Sequence, residues 1–72
     1  MNEKIIELVS LCIETYKKKY KKSGQEVIMV FDEYGVTEFL ADGYDVLHTQ
    51  SIQYVIEEIE IYLKNRGYPE VW

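Results

Sequence analysis

The sequence predicts an all-α fold, a compact bundle of about four helices in which a long first and a long last helix accompany two shorter ones. Apolar residues recur at the helical period over residues 3–21 and 50–66. Capping residues and glycines also stand where such helices would begin and end. Because 72 residues can enclose only one small hydrophobic core, we expect residues 1–72 to form a single domain.

The first predicted helix covers residues 3–21. At about 100° per residue, one arc collects most of its apolar side chains, and charged residues lie opposite. Leu11 is the exception and points toward the polar side. Five lysines between residues 17 and 22 follow acidic residues in the early turns, an order that suits the helix dipole. We interpret them as a solvated helix end. The predicted core arc contains Ile5, Ile6, Leu8, Val9, Cys12, Ile13, Tyr16 and Tyr20.

The second predicted helix runs from residue 24 to about residue 34. Ser23 and Glu26 have the spacing of a capping box, and Gly35 is placed to end the helix. The alternative is an α+β fold, in which residues 27–31 and 36–40 pair as a central hairpin, since both stretches are rich in β-branched residues. The capping box favours the helix, whose apolar face would carry Val27, Val30, Phe31 and Tyr34, with Met29 pointing away.

Two further helices complete the prediction. Thr37 is placed to cap a short third helix that reaches about Asp42, where Gly43 ends it. After a connector, the last helix covers residues 50–66 and is followed by Gly67. Its core arc contains Ile52, Val55, Ile56, Ile59, Tyr62 and Leu63.

Composition and charge restrict the function. Cys12 is the single cysteine, so the chain forms no internal disulfide, which fits a reducing cytoplasm. No apolar run is long enough to span a bilayer, and the first residues do not resemble a signal peptide. Outside the lysine cluster, 3 basic residues stand against 13 acidic ones, a net charge of −10. We therefore expect no binding to nucleic acid or membrane. The acidic charge is compatible with a protein partner that has a basic site, and the alternative interpretation is that it serves solubility alone.

The connector before the last helix, residues 43–51, concentrates the polar side chains that could perform chemistry. Tyr44, Asp45, His48 and Thr49 are its residues of functional interest. His48 with Asp45 three residues earlier suggests a general base and its orienting carboxylate. The competing interpretation is structural: His48 bonds exposed backbone groups and Thr49 caps the last helix. Since no second histidine or nucleophile motif accompanies them, we favour the structural role and expect no enzyme, cofactor or metal site.

Residues 31–36 read Phe-Asp-Glu-Tyr-Gly-Val, and residues 44–51 read Tyr-Asp-Val-Leu-His-Thr-Gln-Ser. These segments resemble a family of short bacterial domains of unknown function that carry a Tyr-Asp-x-Leu-His-Thr-Gln segment. The resemblance covers roughly residues 5–66. It implies a small, all-helical, cytoplasmic protein whose gene accompanies genes for ADP-ribosyltransferase-like proteins. An antitoxin-like or regulatory pairing with such a companion follows from the resemblance.

The last helix also carries apolar residues on its polar side. Tyr54 and Ile61 lie one heptad apart, nearly opposite the core line, and are flanked by Glu57 and Glu58. Such a strip, with Trp72 as a further anchor, is typical of a protein-binding surface, and the alternative is that the bundle covers the last helix on both sides. We expect a protein-binding module. The alternatives are that the strip closes a homodimer, or that the chain is a small enzyme that uses His48.

Overall fold

The computed structural model describes residues 2–68, which form five helices and no strand. The all-α prediction is therefore confirmed. A single helical turn within the connector is the one helix that the sequence analysis did not anticipate. The helices are α1 (Glu3–Tyr20), α2 (Gly24–Tyr34), α3 (Val36–Asp42), α4 (Tyr44–Leu47) and α5 (Ile52–Asn65).

Helix α1 is capped at both ends by residues outside its apolar arc. The Asn2 side chain accepts a hydrogen bond from the Ile5 amide, and Lys21 adopts the left-handed conformation with φ of 53°. Leu11 is exposed, as its position predicts, but the placement of Ile6 in the core is wrong because its side chain is half exposed. Ile6 lies at the edge of the predicted arc, beyond the surface that the other helices cover.

The boundary between α2 and α3 is a single residue. The capping box of Ser23 and Glu26 forms, and Gly35 with φ of 72° ends α2 by donating its amide to the Phe31 carbonyl. The central hairpin is therefore absent. Thr37 as the cap of α3 is also wrong: α3 begins at Val36, its N-cap position is Gly35, and no side chain caps it. One left-handed glycine ends one helix and starts the next, which leaves no place for a capping threonine.

The core takes side chains from all five helices. Tyr16 is fully buried at its centre, where its ring packs edge-on against Phe31 at a centroid distance of 5.9 Å. Its hydroxyl donates a hydrogen bond to the Ile56 carbonyl at 3.3 Å, so this buried polar atom is satisfied. The buried core residues are Cys12, Tyr16, Val27, Phe31, Val36, Leu40, Leu47, Val55, Ile56, Ile59 and Leu63.

The lysine cluster joins helices as well as facing solvent. Lys19 and Tyr20 both bond the Glu60 carboxylate, at 3.1 and 2.7 Å, which links the end of α1 to α5. Lys17 pairs with Glu14 within α1. These contacts agree with a structural role for this part of the cluster. No helix within residues 2–68 combines the length and the apolar composition needed to cross a membrane.

Candidate functional site

The connector is organised by a contact between two of its own rings. Tyr44 and His48 stack almost in parallel, with centroids 4.6 Å apart and an interplanar angle of 5°. The His48 Nδ1 atom lies 2.7 Å from the Tyr44 carbonyl oxygen. Because a carbonyl oxygen only accepts, Nδ1 carries the hydrogen in this arrangement. His48 thus completes the one-turn helix α4, while Leu47 anchors that turn in the core.

The structure brings His48 to Tyr44 rather than to Asp45. The ring nitrogen that a carboxylate would orient in a catalytic pair is already bonded to the Tyr44 carbonyl. Asp45 is exposed, and its carboxylate makes no hydrogen bond or ion pair with another residue in the described range 2–68. The arrangement therefore supports the structural interpretation of the connector more than the acid–base one.

Ser51, and not Thr49, caps the last helix. The Ser51 hydroxyl accepts a hydrogen bond from the Tyr54 amide at 3.2 Å. The Thr49 hydroxyl instead donates to the Val46 carbonyl at 2.7 Å, a bond within the segment that precedes the Ser51 cap. The prediction of Thr49 as the cap was wrong because the turns after α4 extend to residue 50, so that α5 begins only at Ile52.

The α5 strip, which we define as Tyr54, Glu57, Glu58 and Ile61, faces solvent. Tyr54 is 40 % exposed and Ile61 is 55 % exposed. The Tyr54 hydroxyl donates to the Glu58 carboxylate at 3.2 Å, and this hydrogen bond raises the pKa of Tyr54. The strip thus presents two apolar side chains beside two carboxylates. Trp72, the further anchor predicted from sequence, lies outside the described residues.

A second concave surface, which sequence reasoning missed, lies where α2, α3 and the end of α5 meet. This acidic groove encloses about 740 Å³ and is open to solvent. Its floor is the stacked pair Phe39 and Tyr62, with ring centroids 4.4 Å apart. The Arg66 guanidinium lies over the Tyr62 ring at 5.1 Å. The groove is lined by Asp32, Glu33, Tyr34, Gly35, Glu38, Phe39, Asp42, Tyr62 and Arg66.

Part of this groove could have been predicted from the sequence. The carboxylates at positions 32, 33, 38 and 42 surround the Tyr34-Gly35 turn and are visible in the chain itself. Their assembly with Tyr62 and Arg66, however, depends on how α5 packs against α3. Periodicity within one helix cannot show such packing.

A smaller groove of about 210 Å³ separates α1 from the connector and the start of α5. Leu11 borders it together with the Tyr44 and His48 rings. The position of Leu11 beside this groove explains how an apolar residue on the polar side of α1 still has apolar neighbours. Within residues 2–68, no three His, Cys, Asp or Glu side chains are placed to share a metal ion.

Comparison with known proteins gives a family and no activity. No curated protein and no solved structure matches the chain. Residues 7–66 match the model of a family described as "Protein of unknown function (DUF3791)". The match spans 60 of the 72 residues, nearly the stretch over which a resemblance to a family of unknown function was expected. The chain therefore belongs to the DUF3791 family.

Proposed function

We propose that the chain is a protein-binding module and that the α5 strip is its contact surface for a partner with a basic site. The observation that carries the proposal is the exposure of Tyr54 and Ile61 one heptad apart on the solvent side of α5. A pair of apolar residues at this spacing fits the way one helix contacts another surface. Their position opposite the core means that they are not needed to close it.

Charge indicates the kind of partner. The chain carries −5 overall, and Glu57 and Glu58 place two of the carboxylates directly in the strip. Opposite charge on a partner accelerates encounter and favours the correct docked orientation. Self-association through the same strip would bring like charges together, which disfavours the homodimer. The partner we propose is a companion ADP-ribosyltransferase-like protein in the cytoplasm, with the chain acting as its antitoxin-like or regulatory subunit.

The test is affinity recovery of the tagged chain from its native cells, followed by mass spectrometry of intact complexes. We expect one stoichiometric protein with a basic surface. The variant Tyr54→Ala/Ile61→Ala should lose this protein while its far-ultraviolet circular dichroism stays unchanged. The matched control is Leu11→Ala/Met29→Ala, which removes two apolar side chains that are also exposed, at 52 % and 64 %, but lie off the strip.

The outcomes separate the alternatives. Equal recovery by both double variants would show that the strip is not the contact surface. Recovery of the chain alone would contradict the proposal, and a mass of twice the monomer would then identify a homodimer.

A further inference from the structure

We propose that the acidic groove is a second binding site, for an extended, arginine-bearing segment of a protein partner. Guanidinium groups of that segment would lie on the aromatic floor and pair with carboxylates of the rim. The groove shares no residue with the α5 strip, so the inference stands apart from the proposed function of that strip.

The first argument is charge complementarity. Four carboxylates line the groove, those of Asp32, Glu33, Glu38 and Asp42, against the single guanidinium of Arg66, a net charge of −3. None of the four forms an ion pair with another residue of the described chain. Other carboxylates of the protein, such as Glu14 and Glu60, are paired with lysines. The rim therefore carries uncompensated negative charge around a concave surface.

The second argument is the aromatic floor. Phe39 and Tyr62, which both line the groove beside the carboxylates, stack face to face with an interplanar angle of 26°. Arg66 already places its guanidinium 5.1 Å from the Tyr62 ring centroid, so the floor accommodates this group in the protein itself. A planar guanidinium is attracted to an aromatic face and also bonds carboxylates through two parallel N–H groups. An ammonium group lacks this fork, so arginine fits the groove better than lysine.

Size and geometry narrow the class of ligand. A volume of about 740 Å³ falls within the range of ligand clefts, and an open groove admits a continuous chain. A divalent cation does not fit, because the acidic side chains within residues 2–68 are not grouped closely enough to share one. The observations therefore favour a cationic segment that spreads over the groove.

The experiment is a titration of the isotope-labelled protein with a tri-arginine peptide, followed by NMR chemical-shift mapping. Tri-lysine and spermidine serve as comparison ligands. We expect shifts centred on the groove, weaker binding by tri-lysine and spermidine, and a loss of affinity as salt rises. Glu38→Gln/Asp42→Asn should weaken tri-arginine binding about tenfold. The matched control, Glu3→Gln/Glu7→Gln, removes the same charge from the exposed side of α1 and should leave Kd unchanged.

Several results would overturn the proposal. Equal weakening by both double variants would show that binding depends on overall charge alone. Tighter binding of spermidine than of tri-arginine would identify a polyamine as the ligand instead. If Tyr54→Ala/Ile61→Ala abolished tri-arginine binding, the peptide would lie on the α5 strip, which would support that strip and reject the groove. Circular dichroism of each variant confirms that it is folded before its Kd is compared.

Discussion

The Tyr62 hydroxyl lies where two helices meet. It donates toward the carbonyl oxygens of Tyr34 and Gly35, at 2.9 and 3.2 Å, which are carbonyls at the end of α2. Tyr62→Phe keeps the ring stack on Phe39 but leaves these carbonyls without that donor. We expect the free energy of unfolding to fall by about 1 kcal/mol, the usual contribution of one intramolecular hydrogen bond. Urea unfolding followed by circular dichroism measures the change.

The control for this prediction is Tyr54→Phe. That substitution also removes a tyrosine hydroxyl, but one on an exposed side chain, where it bonds the Glu58 carboxylate within α5. We expect its effect to stay within about 0.5 kcal/mol, as for other surface changes. Equal losses in the two variants would contradict the role of Tyr62 at the helix junction.

The roles of individual connector residues were predictable from sequence only in part. The polar side chains of residues 43–51 suggested either chemistry or structural bonds to the backbone, and His48 and Thr49 do bond nearby backbone carbonyls. The sequence could not indicate which hydroxyl caps α5. That choice depends on where the turns after α4 end, and these turns extend to residue 50.

At the scale of the helix, the N-terminal cap of α5 contributes to the stability of the fold. Ser51 holds the first turn of α5 by accepting from the Tyr54 amide, whereas Thr49 lies outside that turn. Ser51→Ala should therefore lower the free energy of unfolding by about 1 kcal/mol. Thr49→Ala, the matched control, should cost less than half as much. Thermal unfolding compares the two, and a larger loss from Thr49→Ala would show that the cap is misassigned.

Helix existence was predictable because two independent signals agreed. Apolar periodicity and the capping box both indicated α2, and the capping box forms in the structure. The hairpin is excluded because both of its stretches lie in helices, α2 and α3. The helix boundaries were less predictable, because Gly35 both ends α2 and precedes α3. Helix α3 therefore already includes the buried Val36, although the sequence predicted that the helix would begin only after Thr37. Capping patterns are defined for one helix at a time, so they do not predict that a second helix starts directly after the glycine that ends the first.

At the scale of the molecule, the two candidate surfaces differ in how far sequence could reveal them. The α5 strip follows from the period of one helix, because Tyr54 and Ile61 are opposite its buried face. The acidic groove requires Phe39 of α3 to stack on Tyr62 of α5, a contact between residues far apart in the chain. Surfaces that belong to one element are thus readable from the chain, and surfaces that several elements build become visible only after packing.

The buried thiol of Cys12 should make the whole protein less stable at alkaline pH. Its side chain is fully buried, and this burial raises the pKa of the thiol from 9.0 to about 12. Between these values the unfolded chain releases the thiol proton while the native protein retains it. The native state then binds more protons, so its stability falls as pH rises from 9 and is unaffected by this group below that value.

Comparison with Cys12→Ala isolates this effect, because Lys19 and Tyr20, whose pKa values are also raised, titrate alike in both proteins. We expect the wild-type advantage in unfolding free energy to shrink by about 1.4 kcal/mol between pH 8 and pH 10. Urea unfolding under reducing conditions at each pH measures it. A pH-independent difference would mean that the thiol ionises equally in both states and that solvent reaches it in the native core. Slow reaction of the native thiol with a disulfide reagent, together with fast reaction in urea, would show independently that solvent does not reach the thiol in the native core.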